Sequence, residues 1–313
     1  AFRAKCGLAG YPVREAAGLV FAYMGPTPVP EFPMWEPYTW GEVVRDIAIV
    51  ELPCNWLQCQ ENSLDPVHNE WLHGYYGGYV HQLKGLETNR GSTRKHEKIG
   101  FDAFEHGIIK RRVQEGGTEE DDDWKVGHPV LFPNILLVGS QFSSTLQFRV
   151  PVDDTTTHHI SLYTWRAAPG QKAPRQDNVP FRYVNLKDEQ GTWILNYIFN
   201  QDYSAWVTQG DVAKRHLEKL GESDRGIIMF RQQLKDQLAL VANGQDPMCV
   251  FRDADAAEFV ELPLEKDKFG ANRRPPKYTP GEEGYSRDAA LIEQTLATWD
   301  VLPEHAAVPV GAR

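Results

Sequence analysis

Between Pro53 and His73 the chain reads PCNWLQCQENSLDPVHNEWLH, and no other stretch limits the fold as strongly. Asn55, Gln58, Glu61 and Asn62 stand at helical spacing beside Trp56, Leu57 and Leu64. Burying amides and a carboxylate among apolar side chains costs free energy unless each one is paired. A fold that keeps this stretch inside must supply those partners, which is the mark of a binding site. The spacing predicts one or two buried helical turns beginning at Pro53, a residue suited to a first turn. Cys54 and Cys59, with no further Cys or His close by, read as small buried apolar residues rather than zinc ligands.

His68 and His73 follow, five residues apart. On a regular α-helix that separation is about 500° of rotation, so the two would not share a face. They can serve one ion only if the helix ends, winds loosely or bulges between them. Pro66 and Gly74 mark such a disturbance, and π-bulges favour functional sites. Two imidazoles with one carboxylate are the ligand set of mononuclear non-haem iron(II) oxygenases. The carboxylate candidates are Asp65, Asp202, Asp211 and Asp224. Asp211 and Asp224 are accounted for by predicted helix starts, where a carboxylate favours the macrodipole. Asp65 precedes Pro66 and is expected to face away from the ion. Asp202 follows the apolar stretch TWILNYIF, expected as a strand, at the mouth of a helix, and is the preferred third ligand.

The rest of the chain reads as strands first and helices last. Residues 1–26 predict two short strands, and 26–40 an irregular linker rich in Pro and aromatics. A strand is expected over 43–53. GYYGGYVHQLKG after His73 reads as a loop and 88–98 as a solvated segment. Alternating patterns over 100–114, 128–139, 145–153 and 157–169 predict further strands at hairpin spacing. The acidic run 115–124 reads as an exposed turn, since it lacks the spaced ligands of a calcium loop. Residues 168–192 read as loop. Helices are expected from about Asn200 to Gly210, over 211–221 and from Ser223 to Gly244, with a polar tail over 262–285 and a last short helix near 287–299. The order implies an α+β fold, an antiparallel sheet with a long helix packed across it.

With 41% hydrophobic and 24% charged residues, the 313-residue chain has the balance of a globular enzyme. A net charge of −10 argues against nucleic acid or an anionic membrane as partner. No apolar run is long enough to span a bilayer. Four scattered cysteines suggest reduced thiols in the cytoplasm.

The pattern from Asn55 to His73, with Gln58, Glu61, Asn62, Asp65 and His68 at their positions, resembles the iron motif of the Rieske non-haem iron oxygenases. NQDYSAWVTQG, EKLGESDRGIIMFRQQL and NGQDP resemble the branch holding phthalate dioxygenase and the aromatic O-demethylases. The resemblance implies a helix-grip, START-like catalytic domain over 46–313. Residues 1–45 would be closing strands of a Rieske domain plus linker. It implies His68, His73 and Asp202 as ligands of a mononuclear Fe(II). Asp65 would bridge to the [2Fe–2S] cluster of a neighbouring subunit, and Asn62 would lie near the open face of the iron. It further implies NAD(P)H electrons delivered through a ferredoxin or flavin reductase, dioxygen and an aromatic substrate, and a homotrimer. The product would come from O-demethylation or ring hydroxylation, with cis-dihydroxylation the alternative. No Cys-x-His or Cys-x2-His pair is present to hold a Rieske cluster, so that domain is expected outside this chain, which opens as a piece of something longer would. The substrate pocket is expected between the central helix and the strands over 133–150 and 158–166. An anionic substrate would want Arg149 or Arg166, although both read as surface residues. Two other classes fit the same residues: a metal-free carrier of hydrophobic ligands, and a zinc hydrolase.

Overall fold

The computed structural model describes residues 10–86, 93–266 and 285–301. The predicted segments at 1–9, 87–92, 267–284 and 302–313 lie outside the described residues. The chain opens with a hairpin of β1 (Val13–Ala16) and β2 (Leu19–Ala22). Its turn places Ala17 at φ 53° and Gly18 at φ 86°, the positive angles that a two-residue hairpin turn requires. A Cβ on Gly18 would stand 2.6 Å from Val179. The linker then folds into a short helix, α1 (Glu36–Thr39), before β3 (Val43–Leu52).

The central stretch begins as α2 (Trp56–Asn62). Asn55, and not Pro53, starts it: the Asn55 carboxamide oxygen accepts from Leu57 N at 3.0 Å, which satisfies one of the free amides of the first turn. A π-helical segment, Asn69–Tyr76, runs directly into α3 (Gly77–Leu83). The Gly- and Tyr-rich stretch after His73 is therefore helical, not a loop. Next come β4 (His96–Phe104), β5 (Gly107–Gln114), α4 (Asp122–Lys125), β6 (His128–Leu131), β7 (Ile135–Gly139), β8 (Ser143–Pro151), β9 (Thr157–Arg166) and the short β10 (Phe181–Tyr183). The closing helices are α5 (Ile198–Val207), α6 (Arg225–Ala242), α7 (Ala254–Glu258) and α8 (Ala289–Ala297).

β3 to β10 form one eight-stranded sheet in the order β10-β3-β9-β8-β7-β6-β5-β4. Its pairings are antiparallel except for β10, which lies parallel to β3 at the edge. Side chains alternate between the two faces of a strand, and the core divides accordingly. On one face Ile47, Leu131, Leu146, Phe148 and Leu162 pack against Ala16, Trp35 and Tyr38 of the hairpin and linker. On the other, Ala48, Val50 and Leu52 meet Cys54, Cys59, Tyr203 and Trp206, while Ile108, Val130 and Leu136 meet Leu64, Ile227 and Phe230. The second face thus carries α2, α5 and the first turns of α6. This is the expected α+β arrangement, with one difference in emphasis. The long helix α6 buries only Gly226, Ile227 and Phe230, and the short α2 and α5 fill more of the groove.

Two predicted elements do not form. TWILNYIF is not a strand; it contributes an isolated bridge between Lys187 and Trp193. Residues 211–221 make no α-helix, only a 3₁₀ turn at Arg215–Leu217. Their backbone is claimed by the central stretch: Asn55 N donates to Asp211 O at 2.7 Å, and Ala213 N donates to Gln58 Oε1 at 2.9 Å. No helix of the described residues is long and apolar enough to cross a membrane.

Candidate metal centre

Gln58 and Glu61 of α2 find their partners in the chain that follows Asp202. Gln58 Nε2 donates to Trp206 O at 2.8 Å and to Gly210 O at 3.0 Å, gripping the C-terminal end of α5. Glu61 accepts from Arg215 Nη1 and Arg231 Nε, each at 2.6 Å. These bonds explain how the stretch tolerates burial. They also fix α2, which leads to the histidines, against α5, which carries Asp202.

Asp65 shapes the turn between α2 and the histidines. Its Oδ1 accepts from Val67 N at 2.9 Å and His68 N at 3.3 Å, and its carbonyl oxygen meets His68 Nδ1. Its Oδ2 stands 3.9 Å from His68 Nδ1, and the side chain is 30% exposed. Asn62 ends α2, half-buried, and its carbonyl accepts from Asp65 N at 3.1 Å. His68 stands just ahead of the π-helical segment and His73 lies within it. A π-winding bonds residues five apart, so it stacks two side chains that an α-helix would place on different faces. Their ring centroids lie 5.1 Å apart.

Asp202 reaches the same point from α5. Its Oδ1 is 3.2 Å from His73 Nε2 and 3.7 Å from His68 Nε2, and the three ligand atoms all lie within 4.8 Å of one another. The second nitrogen of each ring is occupied. His68 Nδ1 faces the Asp65 carbonyl, and His73 Nδ1 lies 3.0 Å from Gln201 Oε1. With the ring protons assigned to these bonds, both Nε2 lone pairs and the buried Asp202 Oδ1 point at one another. Three acceptors converge with no donor between them, and a cation resolves the conflict. The donor set, two imidazoles and one carboxylate, fits an iron(II) ion. Gln201 stands behind His73, in the position of an outer partner that would orient a ligating histidine. A Cβ at Gly77 would stand 2.9 Å from the Gln201 amide, so glycine there leaves room for that bond.

Charges around the cluster act in a consistent sense. Burial drives the His68 pKa down to about 4. Burial also opposes charge on His73, but the adjacent Asp202 and the Gln201 bond outweigh it and raise that pKa. Burial pushes Asp202 up, and His73, His68 and Arg149 together more than offset it, holding the carboxyl below its usual range. Lys110, buried on β5, is among the charges that disfavour protonation of both histidines.

Arg149 is not at the surface. It is 1% exposed, on the helix-facing side of β8, donating to Gln147 O at 3.1 Å and Gln147 Oε1 at 2.9 Å and lying over the Trp206 ring. Among the described residues no carboxylate lies within ion-pair distance of it, and burial lowers its pKa to about 10. Arg166 is half-buried, over Trp40. The sequence reading missed Gln201, Lys110 and the buried pair of Glu70 with His96, whose Nδ1 lies 3.4 Å away. For Gln201 the available signal was its place beside Asp202. The strand residues carried none beyond the period-two pattern that turns positions 110 and 149 inward.

The family described as LigXa C-terminal domain like matches residues 182–258, which include Asp202 and α6. The oxygenase subunit of 5,5'-dehydrodivanillate O-demethylase from Sphingobium sp. (strain NBRC 103272 / SYK-6) is 38% identical over 84% of this chain and 60% of its own length. The chain is similar to the oxygenase subunits of aromatic-compound oxygenases. The phthalate 4,5-dioxygenase oxygenase subunit of Pseudomonas putida is 30% identical, over 75% of this chain and 60% of its own length. The chain thus spans about 60% of the length of these curated relatives. Among solved structures, Pseudomonas putida CBB5 NdmA aligns with a TM-score of 0.49 at 13% identity, over 75% of this chain and 62% of that one.

Proposed function

We propose that the chain is the catalytic part of an oxygenase component that holds one mononuclear iron(II) at His68, His73 and Asp202. The observation that carries this reading is the convergence of three acceptors from two separate elements, His73 Nε2, His68 Nε2 and Asp202 Oδ1. When bound, the iron supplies dioxygen activation beside an aromatic substrate. The chain's own residues do the rest. Gln58 ties α2 to α5, Glu61 ties α2 to Arg215 and Arg231, and Gln201 sets the tautomer of His73. Asn62 is read as an amide near the open face.

Asp65 is half-exposed and bonded to His68 through its backbone. We assign it the place where electrons arrive from a partner's [2Fe–2S] cluster, supplied from NAD(P)H by a ferredoxin or flavin reductase. Residues 1–45 are read as closing strands of a Rieske domain plus linker, and the assembly as a homotrimer in the cytoplasm. Two relatives' names concern dehydrodivanillate and phthalate, both aromatic acids. Arg149 and Lys110 are cations on the same face of the sheet as the cluster, so the pocket favours an anionic aromatic compound. O-demethylation is the preferred reaction on the identity to the demethylase subunit, with cis-dihydroxylation the alternative.

The test combines metal analysis with turnover. The full-length protein containing this chain should bind stoichiometric iron in this domain and lose it in His68→Ala. With reductase, NAD(P)H and dioxygen it should release formaldehyde from methoxylated aromatic acids and act poorly on their neutral analogues. A cis-diol product in place of formaldehyde selects the alternative. Zinc with activity independent of dioxygen overturns the oxygenase reading in favour of a hydrolase. Ligand binding unaffected by His68→Ala, with no metal, would make the chain a carrier. Asp65→Asn keeps the acceptor oxygen for the turn, so it should retain iron and lose turnover; normal turnover removes the assignment of Asp65.

A further inference from the structure

A second group of metal-capable side chains shares no residue and no element with the first. Asp123 on α4, His128 on β6 and Glu265 in the segment after α7 have ligand atoms all within 4.8 Å of one another. His128 Nε2 lies 2.7 Å from Glu265 Oε1 and 3.1 Å from Asp123 Oδ1. One ring nitrogen carries at most one proton, so it cannot serve both carboxylates well. Two carboxylates held this close also repel unless a cation stands between them. Arg112 Nε, 3.4 Å from Asp123 Oδ1, supplies part of that charge from one side.

A separate observation points to the same place. Ser140, just past the end of β7, forms a parallel bridge with Glu265, and bridge partners project their side chains to the same face. Ser140 is 0% exposed, and its Oγ has no hydrogen-bond partner among the described residues. A fully buried hydroxyl without a partner is costly, and this one lies on the side of Glu265.

We propose that Asp123, His128 and Glu265 bind a second divalent cation, with the Ser140 hydroxyl beside it. One imidazole with two carboxylates and a hydroxyl suits zinc or manganese. The ion clamps the segment carrying Val260, Leu262 and Glu265 onto α4, β6 and β7. That segment already donates Lys266 N to Asp122 Oδ2 at 2.6 Å, and its Val260 and Leu262 pack into the core face opposite the iron-type cluster. This role is structural and independent of the proposed oxygenase activity.

The test is calorimetric titration of the metal-stripped chain with zinc chloride. The wild-type chain should take up one more equivalent than Glu265→Gln. His68→Ala/Asp202→Asn should still take up one, and adding Glu265→Gln should abolish it. Zinc should raise the thermal midpoint of the ligand-deficient chain, and the rise should vanish in Glu265→Gln, whose circular dichroism without metal should match that of the parent. Equal uptake by the wild type and Glu265→Gln overturns the proposal, as does a ligand-deficient chain that binds none. If His68→Ala/Asp202→Asn does not fold, the comparison of the wild type with Glu265→Gln and His128→Gln decides alone.

Discussion

Gln201 shows how one side chain outside the cluster of His68, His73 and Asp202 can orient a member of it. It holds His73 Nδ1 at 3.0 Å and is itself anchored through Nε2 to Leu195 O at 3.0 Å. Removing such an outer partner costs roughly 10–100-fold in metal affinity, so Gln201→Ala should weaken iron(II) binding by that factor while the far-ultraviolet dichroism stays unchanged. His159 makes a different prediction at this scale. It is 0% exposed, bonded to Tyr203, and burial followed by the nearby Arg149 holds its pKa well below the ordinary value. The folded chain therefore keeps it neutral where the unfolded chain binds a proton. Its share of stability is complete above roughly pH 6.5 and falls as the pH drops below that value. Urea denaturation at several pH values should show a shallower acid loss for His159→Phe than for the wild type. Neither role was legible in advance beyond the place of Gln201 beside Asp202, because each is defined by a partner distant in sequence, 128 and 44 positions away.

At the scale of elements, the π-helical segment matters most. The five-residue spacing of His68 and His73 already required a departure from α-helical winding, and the structure supplies it over Asn69–Tyr76. What the spacing did not show is that the helix continues through Gly77 and Gly78 into α3. Glycine weakens a helix, yet Gly77 is needed where it packs on Gln201. Gly226 on α6 is a comparable case, since a Cβ there would stand 2.3 Å from Phe101 Cε1. Gly226→Ala should destabilise the chain by about 1–3 kcal/mol through overpacking, despite its better helix propensity. Gly78 has open space around its Cβ position, so Gly78→Ala should instead stabilise by up to ~1 kcal/mol. Thermal or urea unfolding of the pair checks the contrast. The failed helix at 211–221 teaches the converse: its pattern was helical, but Asn55 and Gln58 took its backbone groups.

Across the whole molecule, the sheet separates two jobs. One face is closed by the hairpin and linker, and the other carries the cluster under α2, α5 and α6. Glu61 joins the second set together. It is 7% exposed and bound by Arg215 and Arg231, and Arg231 also pairs with Glu218 at 2.7 Å. Arg231→Met would leave Glu61 with a single partner. The cost should be on the order of 2 kcal/mol, below that of a fully buried pair because the Arg231 side chain is 23% exposed. If α2 loosens as a result, metal affinity should fall with stability, which titration at several urea concentrations would show.

The amino-acid sequence alone determined the class of the fold and the residue types at the cluster. Period-two strands and an amphipathic closing helix leave few arrangements other than a sheet covered by helices, and two histidines with carboxylates limit the chemistry. The tertiary structure decided which groups meet. It brought Asp202 to the histidines across more than a hundred residues and turned Arg149 and Lys110 inward. It also gave Gln58 and Glu61 partners that make their burial tolerable. The physical reason is that a polar group's free energy depends on what it faces after folding, whereas hydrophobic periodicity is already complete in the local chain.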